Sequence, residues 1–141
     1  MNATKMASGI TARPDCVTTF DAVKMGSANY VVFEISNDAI VHRETGHCKD
    51  WAAFVAILTE TSAAYGVFKF DTVAKDKREI QEMVFVSWIN DSATTRTKMM
   101  YACAREPFKT QLGGGFPVCI QASDMSDLDF DEVKKLVLRG R

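Results

Sequence analysis

The sequence predicts an α/β domain in which helices sandwich a central mixed sheet of about five strands. Three observations lead there. Short β-branched and aromatic runs recur along the chain, stretches with helical periodicity alternate with them, and the chain has 141 residues, enough for one core and not two. A hydrophobic content of 47% with 25% charged residues is that of an ordinary globular protein.

Taken in order, Pro14 and Asp15 suit the first turn of a helix. A missing N–H is harmless there, and a carboxylate meets the positive end of the helix dipole. Gly26 ends that helix. Tyr30–Ile35 is the first strand; Asn37 and Asp38 break it, and Ala39–Arg43 returns as its hairpin partner. Asp50 caps a second helix over Trp51–Thr59, whose Trp51, Phe54, Val55 and Leu58 share one face. Tyr65–Phe70 and Met83–Ile89 are apolar enough for central strands buried on both sides, joined by the charged stretch Lys75 to Glu79.

Asn90, Asp91 and Ser92 then break the chain before a longer helix. At 3.6 residues per turn, Met100, Tyr101, Ala104, Phe108 and Leu112 fall on its core side. Lys98, Ala102, Arg105 and Lys109 fall on the opposite side, and periodicity alone leaves that side open as a solvated face or a binding face. Pro107 removes one hydrogen bond and meets the carbonyl of Cys103, so the helix either kinks or breaks there. Gly113-Gly114-Gly115 closes a helix, whereas a phosphate loop opens one, so it is a C-cap and turn. Val118–Ala122 is the last strand, and Ser126, followed by Asp127, Asp129, Asp131 and Glu132, opens a final helix ending near Arg139.

Composition excludes several function classes. A net charge of −1 lacks the broad basic surface of a general nucleic-acid binder. No apolar run approaches the ~18 residues of a membrane-spanning helix, and the N-terminus lacks the apolar stretch of a secretory signal. Cys16, Cys48, Cys103 and Cys119 are scattered, with neither His42 nor His47 at zinc-finger spacing from a cysteine pair. Free thiols are expected, with no metal and no cofactor. Sequence distance does not forbid a Cys–His pair, but no nucleophile motif, glycine loop or metal spacing supports catalysis, and an enzyme is not expected.

Two strings go further. Phe85-Val86-Ser87-Trp88, Asp91 and then Arg96-Thr97-Lys98-Met99-Met100-Tyr101-Ala102 resemble the signature of the ADF/cofilin family of actin-binding proteins. Met6-Ala7-Ser8-Gly9-Ile10 with Asp15-Cys16-Val17 and Phe20 is similar to that family's start and first helix. Tyr30–Ile35 resembles its first strand, and Gln121–Asp124 with Ser126–Leu128 its last strand and helix, so the resemblance covers nearly the whole chain in order.

The resemblance implies the ADF-homology fold over residues 8–141, preceded by a flexible extension at 1–7, with a long kinked actin-binding helix after the fourth strand. It implies a monomer that binds actin, ADP-actin preferentially, promotes filament depolymerisation and severing in the cytoplasm, and also enters the nucleus. Ser8, Gly9, Arg96, Lys98, Met99, Arg105 and Lys109 match the monomer-binding surface, and Ser8 matches the regulatory phosphorylation site. A phosphate at Ser8 would add nearly two negative charges and repel an acidic partner. The basic side of the long helix also implies attraction to phosphoinositides.

One departure bears on filaments. The family opens the strand before Trp88 with a basic cluster; here Glu79-Ile80-Gln81-Glu82 supply two acids and no cation. The filament site implied by resemblance therefore shifts to Lys75, Lys77 and Arg78 in the loop, with Lys134, Lys135 and Arg139 on the last helix. That departure leaves a monomer sequesterer or a coactosin-like side-binder with weak severing as the alternative, and a partner-binding module unrelated to actin as a third reading.

Overall fold

The computed structural model describes residues 4–5 and 9–139. In chain order the elements are β1 (Thr4–Lys5), β2 (Thr11–Ala12), α1 (Pro14–Met25), β3 (Tyr30–Ser36), β4 (Ala39–Gly46), α2 (Trp51–Leu58), β5 (Ala63–Val73) and β6 (Glu79–Ile89). They continue with α3 (Thr95–Gln111), β7 (Val118–Ala122), a 3-10 turn (Met125–Leu128) and α4 (Phe130–Val137). The strands form one mixed sheet in the order β1-β2-β4-β3-β5-β6-β7. β2 runs parallel to β4 and β7 parallel to β6; the remaining neighbours are antiparallel.

Local chemistry explains the boundaries. Pro14 is the first residue of α1, and Gly26 ends it at φ 88, a left-handed conformation that glycine adopts without steric cost. Asp50 caps α2 by accepting from the Ala53 N–H at 2.9 Å. Asn37 and Asp38 both have positive φ, 50 and 60, as a two-residue hairpin turn between β3 and β4 requires.

The sheet separates two apolar layers. On one side α1 and α3 bury Phe20, Phe33, Tyr65, Phe85 and Phe108. On the other, α2 and α4 bury Trp51, Phe54, Phe68, Phe70 and Val133. Gly66 on β5 lets α2 sit close: a Cβ there would lie 2.7 Å from Phe54 Cζ and 2.8 Å from Leu58 Cδ1.

Three expectations are corrected. The fold class stands, but among the described residues the sheet has seven strands and not about five, because β1 and β2 are two residues each and too short to carry a period. The central hairpin is longer than Tyr65–Phe70 and Met83–Ile89: β5 and β6 pair continuously from Ala63↔Ile89 to Val73↔Glu79. Glu79 to Glu82 therefore belong to β6, held in register by backbone hydrogen bonds that do not depend on the polarity of their side chains. Beyond Lys69, whose N–H donates to the Asn29 carbonyl at 2.9 Å, and before Val84 the two strands pair only with each other, forming a ribbon.

The last correction concerns the final helix, which begins at Phe130 and not at Ser126. Asp124 caps the 3-10 turn and Asp129 caps α4, so two capping aspartates compete and the first wins only a single turn. α3 does not break at Pro107 but runs unbroken from Thr95 to Gln111, with Ala104, Phe108 and Leu112 buried on both sides of the proline.

Candidate functional site

Thr94 starts the candidate site by capping α3, its hydroxyl accepting from the Thr97 N–H at 3.1 Å. Arg96 and Lys98 then project from the first turn, a position where the helix dipole disfavours cations and where α3 has no acidic residue of its own. Both are exposed, and Met99 beside them is 62% exposed. Below them the helix is pinned to the sheet. The Tyr101 hydroxyl accepts from the Ile35 N–H at 2.8 Å, and the Tyr65 hydroxyl donates to the Tyr101 carbonyl. Phe108 packs edge-on to Phe33 with ring centres 4.9 Å apart. Burial pushes the Tyr101 and Tyr65 phenols above their ordinary titration range, so both stay protonated at neutral pH.

A second segment meets this turn. Thr11 N–H donates to the Asp38 carbonyl at 3.2 Å and Arg13 N–H to the Ile40 carbonyl at 3.0 Å, which lays the chain beside β4. Gly9, at φ 83, and buried Ile10 are thereby brought against α3. Between them opens a mostly apolar cleft of about 690 Å³, with Ile10, Met99 and Met100 on its walls and Arg96 and Asp38 as its charged groups. Arg96 and Asp38 form a loose pair, 3.9 Å between Nη2 and Oδ1.

The structure brings Gly9, Arg96 and Met99 together at this cleft, while Lys98 lies exposed on the same first turn of α3. It separates Arg105 and Lys109 from them chemically. Their side chains are only 20% and 18% exposed, and both pair with Glu106, at 3.4 and 3.2 Å. The hydrogen bond from Lys109 is the main reason the Glu106 carboxyl titrates below its usual range. Lys109 also sits 5.9 Å above the Phe85 ring. Ser8 lies outside the described residues.

The other candidates lie elsewhere. Lys75, Lys77 and Arg78 are exposed on the loop closing the β5–β6 ribbon, where Arg78 Nε bonds Asp76 at 2.6 Å and Lys77 has φ 70. On α4, Lys135 is exposed and pairs with Glu132 at 3.3 Å, Lys134 is half-buried, and Arg139 is exposed just past the helix. Loop and helix are connected through one apolar layer, since Ala74 and Ile80 of the ribbon belong to the same core cluster as Val133 and Val137. Sequence reasoning missed Asp38, Thr95 and Cys103 at the cleft. Asn37-Asp38 signals a turn, but nothing local says that the turn faces a helix almost sixty residues away.

Among the described residues, no group of three or more His, Cys, Asp or Glu side chains is placed to hold a metal ion. No helix there is long and apolar enough to cross a membrane. All four cysteines are free; Cys16 is buried, and desolvation pushes its thiol up to about 12.

Comparison with known proteins agrees with this geometry. Residues 9–138 match the family described as cofilin/tropomyosin-type actin-binding protein. The chain is 31% identical over 135 residues to actin-depolymerizing factor 7 of Arabidopsis thaliana, covering 94% of this chain and 97% of that one. It is 29% identical over 138 residues to cofilin of Saccharomyces cerevisiae, covering 94% and 95%. Among solved structures, that of Streptomyces griseoflavus cofilin superposes with a TM-score of 0.84 at 28% identity, over 94% of this chain and all of that one.

Proposed function

Because the chain belongs to the cofilin/tropomyosin-type actin-binding proteins, we propose that it binds actin monomers, ADP-actin preferentially, and promotes filament depolymerisation and severing. The observation that supports this reading is the meeting of Gly9, Arg96 and Met99 at one cleft. Arg96 offers a planar fork to carboxylates and carbonyls, Lys98 a point charge, and Met99 an adaptable apolar anchor. No covalent step is needed: a protein that binds one actin state more tightly than another shifts the assembly equilibrium by that difference. Regulation by phosphorylation at Ser8 belongs to the same proposal, as does action in the cytoplasm.

Filament contact is assigned to Lys75, Lys77, Arg78, Lys134, Lys135 and Arg139. A second reading, monomer sequestration or side-binding without severing, is favoured by one observation: Glu79 and Glu82 occupy the ribbon of β6 itself. Anionic headgroups such as phosphoinositides are expected to compete for Lys98 on one face of the sheet and, separately, for Lys134 and Lys135 on the other, at roughly 1 kcal/mol per basic residue. Arg105 and Lys109, already paired with Glu106, contribute less.

A paired measurement tests the proposal: affinity for ADP-actin monomers, and co-sedimentation with filaments at the same salt. Binding to both supports the depolymerising factor, with the loop cations serving on filaments. Monomer binding without co-sedimentation selects the sequesterer, and binding to neither refutes the actin reading. Arg96→Ala with Lys98→Ala is expected to weaken monomer binding by about 2–5 kcal/mol while leaving Tm nearly unchanged.

A further inference from the structure

The geometry points to Asp38 as a specificity-determining member of the monomer site: it is the counter-ion of Arg96, and a partner carboxylate must displace it. This rests on the actin reading above.

Three features of the structure support it. Arg96 and Lys98 stand in the first turn of α3, where the exposed N–H groups already present partial positive charge and no acid of the helix compensates. The missing negative charge arrives from another element, the β3–β4 turn, as Asp38 Oδ1 at 3.9 Å from Arg96 Nη2. Asp38 cannot drift far from that place. It is held at φ 60 in a two-residue turn, and its carbonyl accepts from the Thr11 N–H at 3.2 Å, which ties it to the segment carrying Gly9 and Ile10.

The pair is solvent-exposed, 79% for Arg96 and 71% for Asp38, and its single contact is long. Such a pair is weak and readily exchanged. It is therefore suited to neutralising Arg96 in the free protein and to yielding when a better-placed bidentate carboxylate arrives. Asp38 thus lowers the attraction of Arg96 for acidic surfaces in general, so that only a carboxylate better placed than Asp38 displaces it, and it sets how much of the Arg96 charge a partner feels at a distance.

The test is Asp38→Asn, which is isosteric and tolerates the left-handed turn. Affinity for ADP-actin monomers is measured for the wild type, Asp38→Asn, Arg96→Ala and the double variant. The measurements use about 20 mM and about 500 mM salt, where exposed charges are felt and screened respectively. The expected result is about two- to five-fold tighter binding for Asp38→Asn at low salt, vanishing at high salt and absent in the Arg96→Ala background.

Weaker binding by Asp38→Asn would make Asp38 a direct contact and overturn the counter-ion role. Unchanged binding, or tighter binding that persists without Arg96, would overturn it as well. If Arg96→Ala itself binds as tightly as wild type, the monomer-site reading falls, independently of how Asp38→Asn behaves.

Discussion

Tyr101→Phe removes one oxygen atom and tests how α3 is held where the cleft begins. The β3–β5 ladder ends at Phe33↔Tyr65, so the Ile35 N–H finds no strand partner there and is satisfied by the Tyr101 hydroxyl at 2.8 Å. Tyr101 itself is 6% exposed and Ile35 half-buried, so water replaces the lost acceptor only in part. A hydrogen bond of this kind contributes about 1 kcal/mol net, rising toward about 3 kcal/mol if the orphaned donor stays dry. The expected loss is about 1–2 kcal/mol, or roughly 3–8 °C in Tm for a domain of this size. Urea unfolding followed by tryptophan fluorescence reads it, with an unchanged m-value showing that the two-state transition is preserved.

The same bond ties α3 to the end of β3 that leads into the Asp38 turn. Loosening it should therefore lower ADP-actin affinity, opposite in sign to the gain expected from removing the Asp38 counter-ion. A stability loss below about 0.3 kcal/mol would refute the reasoning, because it would mean that the Ile35 N–H is already solvated and the hydroxyl anchors nothing.

Gly66→Ala should cost about 1–3 kcal/mol by pushing Phe54 and Leu58 off β5; because α2 lies on the face opposite α3, actin affinity should not change, and a coupled loss would show that the two layers communicate. Asp50→Ala removes the cap of α2 and should lower stability by about 1 kcal/mol in a thermal or urea melt. Thiol labelling at pH 8 should modify exposed Cys103 and Cys119 quickly and Cys16 only on unfolding; rapid native labelling of Cys16 would contradict its burial. The Cys16 thiol is raised from 9.0 to about 12, so its unfolded form ionises first. Its contribution is complete below pH 9.0 and is lost as pH rises toward about 12, a range in which melts should show falling stability.

Much of the fold is legible residue by residue because its signals are local. Pro14, Gly26 and Asp50 mark helix ends through conformations and hydrogen bonds confined to one turn. The side of α3 that carries Tyr101, Ala104, Phe108 and Leu112 is buried as its 3.6-residue period requires. What failed was also physical. β2 is a strand because β4 offers it hydrogen-bonding groups, and Glu79 is in β6 because Val73 lies opposite; neither partner is visible from the segment itself.

The candidate site divides along the same line. By itself the sequence determined the main helices and the central strands, the family and the identity of the exposed first-turn cations, since periodicity, capping and a motif in a continuous stretch are properties of the chain. The tertiary structure alone decided which charges remain free. Arg105 and Lys109 share a helical side with Lys98, yet the fold covers both and pairs them with Glu106. Arg96 meets Asp38 from a different hairpin. Helical phase sets the direction in which a side chain leaves its backbone, but its neighbours are set by how elements distant in sequence pack, and those neighbours decide its charge, its exposure and what it is able to bind.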